Sequence, residues 1–260
     1  MVLIAQVLTF SFSAPFSLHY AMDTVVFQGP VELDSYDRSL SVSSQPTAIP
    51  KTFLDAMTVR ETVFVREQGI PLLMEADPDD FRSCHFVAYD RLPGQSEPSP
   101  AGTLRLVPFP HDPHPEDGWS WDVNTEGEEK EIRPEGKAWI VDRATDLHDG
   151  LEPYVKLGRW AVVKEFRGRG IANLLVRAAV EWARDNPEFF NLKDEERVML
   201  GLDEYRAKWR GLICIHAQAY LVGAWAKLGF QVDEKMGKWT EAGIPHVGMF
   251  LRLDLPAKKP

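Results

Sequence analysis

The sequence predicts a mixed α/β or α+β domain built around one core. Two observations carry that prediction. The 260 residues are 44% apolar and 26% charged, an ordinary globular balance with enough apolar surface for a sizeable interior. Strand-like runs and helical patterns also interleave along the chain without any repeat.

From Asp23 to Pro50 only short strand-like pieces, TVVF and SLSVSS, stand out. From Thr52 to Gln68, Leu54, Met57, Val59, Phe64 and Val65 fall among polar residues. That pattern predicts a helix, closed by Gly69 and Pro71. Ser83–Asp90 (SCHFVAYD) and Gly102–Phe109 (GTLRLVPF) read as two strands of a hairpin, joined by the loose turn LPGQSEPSP. Tyr154–Val163 (YVKLGRWAVV) is the next strand. The helix after it sets Ile171, Leu174, Leu175, Ala178, Ala179 and Trp182 on one face until Asn186-Pro187 stops it. A charged, helix-prone insertion leads to about Arg210. Gly211–Ala217 (GLICIHA) is a short apolar strand and Gln218–Leu228 a short helix ended by Gly229. FQVDEK and HVGMFLRL complete the set as strands separated by GKWTEAGIP. The expected organisation is an N-terminal extension over 1–50, partly disordered or contributing a first strand, then one domain over 51–255 with insertions at 110–150 and 187–210.

A net charge of −10 argues against a general nucleic-acid binder, which needs a basic face. The acid is concentrated. Residues 111–150 hold twelve Asp and Glu against four Lys and Arg, a pattern that fits a solvated loop better than a long-range lure for cations, whose field fades within ~8–10 Å. Two cysteines, Cys84 and Cys214, make no disulfide framework and point to a reducing, cytoplasmic compartment. The apolar first 21 residues lack the basic start of a secretory signal, and Gln6, several Ser and Pro15 break them as a membrane span. No membrane partner is expected; a homodimer is compatible with the sequence.

The stretch KEFRGRGIANLL (Lys164–Leu175) is the most informative. Gly168 and Gly170 flank Arg169 where a strand gives way to a helix. The first N–H groups of a helix have no internal partner, and its dipole makes that end a modest positive pole. Glycine lets an anion approach those amides, and Arg167, Arg169 and Lys164 add charge. The turn therefore suits phosphate or pyrophosphate; tight strand–helix packing is the other use for such glycines. A P-loop is excluded because no Lys-Ser/Thr follows, and the dinucleotide fingerprint fails because Asn173 stands where its third glycine belongs.

Arg167-x-x-Gly170-x-Ala172, after the strand GRWAVV, resembles motif A (Q/R-x-x-G-x-G/A) of the GNAT acetyltransferase superfamily. VRETVFVREQGIP (Val59–Pro71), HAQAYL (His216–Leu221) and EAGIPHVGM (Glu241–Met249) are similar to its ElaA-type branch, in order and at compatible spacing. The resemblance runs from about Phe53 to Leu253. It implies a mixed central sheet of about six to seven strands, its central parallel strands splayed, flanked by helices. It also implies acetyl-CoA as acetyl donor, held in the V of those strands, and no metal. The pantetheine amides would pair with Ala161, Val162 and Val163. The pyrophosphate would rest on Arg167, Gly168, Arg169, Gly170, Ile171, Ala172 and Asn173. Gln218 falls where many relatives carry a cofactor-touching Asn.

The implied chemistry is direct attack of a neutral amine on the thioester in a ternary complex. It needs a base for the amine and a donor for the leaving thiolate. His216 is the candidate base, an imidazole that titrates near working pH; a hydrogen-bonded strand histidine is the other reading. Relatives carry F-Y-x-K-x-G-F in the last helix, with Tyr as acid, whereas this chain has Trp225, whose N–H cannot be given up at ordinary pH. Tyr220 is on the same helix but about 140° away. Cys214 is read as a small buried hydrophobe before a nucleophile. Glu75 and His246 are candidates to grip the acceptor. The expected activity is N-acetylation of a primary amine on a small molecule. Its rivals are a catalytically weak acetyl-CoA-binding sensor or interaction module, and an acyl transfer from carrier protein to a signalling lactone, which would want a basic docking face.

Overall fold

The computed structural model describes residues 6–8, 24–121 and 140–256. The rest of the apolar N-terminal stretch and residues 122–139 of the acidic insertion lie outside the described residues. The chain forms two compact units, one of residues 1–107 and 158–181, the other of 108–157 and 182–260. The observed class is the α+β one expected, and the expected hairpin, helices and most of the expected strands are present.

In the first unit, β1 (Gln6–Leu8), β2 (Thr24–Gln28), β3 (Cys84–Asp90) and β4 (Ser99–Val107) pair in that order, each antiparallel to the last. α1 (Lys51–Arg60) starts after Pro50 and buries Phe53, Ala56, Met57 and Val59. Phe53 and Met57 pack with Val31, Ile49 and Ala76, and Val59 packs with Val63 and Ala161. Beyond Arg60 the helix does not stop. It widens over Glu61–Glu67 into i→i+5 bonding, as the 3.1 Å bond from the Gln68 N–H to the Val63 carbonyl shows. Such widened turns are uncommon and gather at functional sites. SLSVSS, expected as strand-like, is instead a short 3₁₀ turn over Val42–Ser44; its serines hydrogen-bond one another across the turn and compete with an extended ladder.

β6 (Val155–Val162) begins in the second unit and ends in the first, where the Val163 N–H donates to Ala101 of β4 at 2.9 Å. α2 (Ile171–Asp185) follows. It and β6 lie so close to Gly102 of β4 that a Cβ there would meet Ala161 O, Ile171 and Leu175 at 3.0 Å each.

In the second unit β6 pairs in parallel with β7 (Leu212–Gln218) for three residues, ending at Leu157 opposite Ile215. β10 (Ile244–Arg252) runs antiparallel to β7 over seven pairs and carries β9 (Lys238–Glu241) on its other side. Short β5 (Ser120–Trp121) and β8 (Gln231–Val232) complete the unit. The core holds Tyr154, Leu212, Cys214, Met236, Trp239 and Phe250. α3 (Asp194–Met199) lies in the second insertion, and α4 (Val222–Lys227) continues a 3₁₀ turn over Ala219–Leu221. Ten strands are present among the described residues, more than the six to seven expected; the surplus is mainly the two- and three-residue pieces and β9, which GKWTEAGIP conceals. FQVDEK keeps only two residues in β8, because Asp233 caps a 3₁₀ turn by accepting the Met236 N–H.

Candidate active site

The first unit carries the glycine turn. Gly168 and Gly170 sit at φ +77° and +86°, and a Cβ built on either meets nothing within 4 Å. Their glycines therefore serve backbone conformation in an open place, and tight packing does not explain them. Among the described residues the N–H groups of Gly168, Gly170, Ile171, Ala172 and Asn173 meet no acceptor; the helical bonding of α2 begins with Leu174 N–H to Gly170 O at 3.0 Å. Both arginines of the turn are anchored. Arg167 Nε donates to the Val162 carbonyl at 2.9 Å and its guanidinium meets Glu67 at 2.5 Å. Arg169 meets Asp90 at 3.0 Å and lies over the Phe166 ring. Their charge is held beside the turn, and Lys164 is exposed next to it.

Of the three strand residues expected to face a pantetheine arm, Val163 spends its N–H on Ala101 O. Neighbouring residues of a strand turn their amides to opposite sides, so the Val162 N–H points away from β4 while Ala161 faces it. Upstream in the same strand Arg159 adopts φ +51°, a left-handed conformation that costs a non-glycine residue about 1–2 kcal/mol. Its side chain explains how that is sustained: Nη2 lies 2.9 Å from Asp77 and Nε 3.4 Å from Glu75.

Glu75, a sequence candidate for the acceptor, is buried inside that network. Arg60 Nε donates to its Oε1 at 2.6 Å, and Arg60 Nη1 reaches Asp80 at 2.7 Å. Arg105 bridges Asp77 at 2.6 Å and Asp80 at 2.5 Å. Burial pushes the Asp77 and Asp80 carboxyls up, but the arginines outweigh it and hold both below the usual carboxylate range. The network is structural, and Glu75 is committed to it.

The second unit gathers the other candidates. Glu241 and Ile244 close a two-residue hairpin whose Ala242 and Gly243 both have positive φ, +50° and +76°, the geometry of a type I′ turn. That turn puts Glu241 and His246 on adjacent strands. Glu241 Oε1 lies 3.5 Å from His216 Nδ1 and accepts the Trp239 indole N–H at 2.6 Å, while its Oε2 is 4.0 Å from His246 Nε2. Trp239 meets His216 edge-on at 4.8 Å and stacks with His246 at 6.3 Å. Burial raises the Glu241 carboxyl, yet the bond to His216 and the charges of His216, His246 and Lys156 hold it below its ordinary range. Burial first, and Lys156 next, push His216 down to about 4. At neutral pH the pair is thus an ionised carboxylate beside a neutral imidazole, and His216 does not titrate near working pH as expected. Its Nε2 is buried with no hydrogen-bond partner.

The structure brings His216 and His246 together and adds Glu241 and Trp239, which sequence reasoning missed. The Glu of EAGIPH was the available signal. Gln218 ends β7, and its Oε1 accepts the Tyr220 hydroxyl, which is exposed. Trp225 is buried against Phe230 at 5.1 Å.

Three solved structures are similar to the chain. A protein of Lactobacillus plantarum assigned as an N-acetyltransferase is 22% identical with TM-score 0.47, covering 79% of this chain and 94% of that one. Escherichia coli ElaA is 19% identical with TM-score 0.43, covering 81% and 95%. An acyl-CoA N-acyltransferase of Pseudomonas aeruginosa is 20% identical with TM-score 0.38, covering 81% and 94%. At these values the likenesses carry no argument about mechanism. The sequence also matches the profile of the acetyltransferase (GNAT) family over residues 56–196, more than half its length and spanning the glycine turn, so the chain belongs to that family of acyl-transferring enzymes.

Proposed function

We propose that this protein is an acetyl-CoA-dependent N-acetyltransferase that acetylates a primary amine of a small molecule by direct attack. The observation that carries the proposal is the turn at 168–173. Five open amides and two uncrowded glycines in the left-handed region form an anion seat in a chain of a family that uses acetyl-CoA. In the reaction the amine nitrogen bonds to the thioester carbonyl carbon, the carbon–sulfur bond breaks, and the amine proton must leave. The bare His216 Nε2, with Glu241 facing its Nδ1, is the acceptor we assign. Glu241 and His246 grip the incoming amine. The coenzyme A thiolate takes its proton from water, because Trp225 has none to give and is packed into the core. Two free, buried cysteines suit a reducing compartment, and no helix among the described residues is long and apolar enough to cross a membrane.

Acetyl-CoA is incubated with the protein and a panel of amines while free thiol is followed. Thiol release that depends on one class of amine supports the proposal. The buried Trp225 favours one alternative, an acetyl-CoA-binding module that has lost its acid. Tight cofactor binding without turnover on any amine would establish that alternative.

A further inference from the structure

Cys214 and His216 project from the same face of β7, and His114 meets them within the second unit. One donor atom from each lies within 4.8 Å of the other two, and the two imidazole centroids are 6.2 Å apart. The Cys214 residue and the His114 side chain are both wholly buried. Both ring nitrogens of His114 and the Nε2 of His216 lack a hydrogen-bond partner. One buried unsatisfied polar group costs about 1–3 kcal/mol, so orphaned imidazole nitrogens beside a buried thiol call for an occupant.

The carboxylates nearby indicate what it is. Glu241 lies 3.5 Å from His216 Nδ1, and Asp142 lies 3.6 Å from His114 Nε2. Each imidazole thus has an acid against one nitrogen, leaving His216 Nε2 and His114 Nδ1 as the inner pair. A carboxylate behind each histidine is the arrangement that orients metal-binding imidazoles. We propose that His114 Nδ1, Cys214 Sγ and His216 Nε2 bind a divalent cation of the zinc type, with a fourth position open.

Two imidazoles and a thiolate are a zinc-like donor set, with Zn–N near ~2.0 Å and Zn–S near ~2.3 Å. Tetrahedral donors of this set then lie roughly 3.3–3.5 Å apart, so from separations of up to 4.8 Å the cluster closes by up to about 1.5 Å on loading. Binding converts the Cys214 thiol to a metal thiolate and releases its proton to solvent. Lys156, paired across from Cys214, and Arg143 oppose a cation; Asp142, Glu241 and the new thiolate offset them. The metal and the amine proton compete for the same lone pair of His216, so loading would suppress the base. The binding test does not depend on acetyl transfer.

The full chain, stripped with a chelator, is titrated with Co²⁺. One equivalent should give a near-ultraviolet thiolate-to-cobalt band with intense visible bands, release about one proton, and be displaced by Zn²⁺. Cys214→Ala should abolish the thiolate band and Cys84→Ala leave it. Glu241→Gln should weaken Co²⁺ about 10–100-fold. Absence of a thiolate band in the wild-type protein, or its survival in a folded Cys214→Ala variant, overturns the site. Acetyl-CoA calorimetry on the metal-free protein decides the cofactor reading separately.

Discussion

Replacing Gly170 by Asp and, in parallel, by Asn isolates the charge preference of the turn. Both side chains impose the same left-handed strain at φ +86° and both enter open space, so shape and backbone cost cancel between them. What differs is one negative charge. A carboxylate about 5 Å from a bound phosphate repels it by about 3 kcal/mol at an effective dielectric of ~20, and by about 0.8 kcal/mol in bulk water. The Asp variant should therefore bind acetyl-CoA roughly 4- to 150-fold more weakly than the Asn variant, since each 1.4 kcal/mol is a factor of about ten. Calorimetry at two ionic strengths checks it, because added salt must narrow the gap. Equal Kd for Asp and Asn at low salt would remove the anion seat and, with it, the assignment of the cofactor to this turn.

Other outcomes follow from the same geometry. Arg60→Met strips the buried Glu75 and Asp80 of their shared partner and should cost about 3–5 kcal/mol in urea unfolding; a loss under about 1 kcal/mol would contradict the network. His85, pushed down to about 4 by burial and wholly inside, folds in its neutral form. Its contribution is complete above the unfolded value near ~6.5 and is lost as pH falls to about 4, a difference of about 3 kcal/mol. His85→Gln should flatten the stability profile over that interval, and an unchanged slope speaks against it. Glu241→Gln should slow amine acetylation by at least about tenfold while leaving acetyl-CoA affinity intact; equal loss of both would place Glu241 in folding instead.

The glycine turn, the helix behind it and the β3–β4 hairpin were legible because each obeys a local rule: period, punctuation or an unpartnered helix end. What escaped depended on distant partners. Glu75 sits in an acidic loop that reads as solvated, yet Arg60, fifteen residues earlier, and Arg159, far along the chain, draw it inside. Glu241 looks like one more surface acid until β9 lays it beside β10. The alternation of His216 with Cys214 was legible, but the low titration of His216 was not, since depth of burial is a tertiary property. His114 gave no signal at all; nothing in HDPHPEDG distinguishes a loop histidine from one enclosed by Tyr154 and Phe250.

Arg159 constrains which substitutions this strand can accept. Glycine is the residue that would relax its backbone, yet it would cut the two tethers to Asp77 and Glu75 and leave those acids short of a cation. Lysine would keep a charge but offer a single ammonium where a forked group now reaches both. The position is pinned from two directions, by a torsion that disfavours side chains and by neighbours that demand one particular long, planar one. Random mutagenesis should therefore find β6 least forgiving at this residue, more so than at the buried Val155 and Leu157 of the same strand.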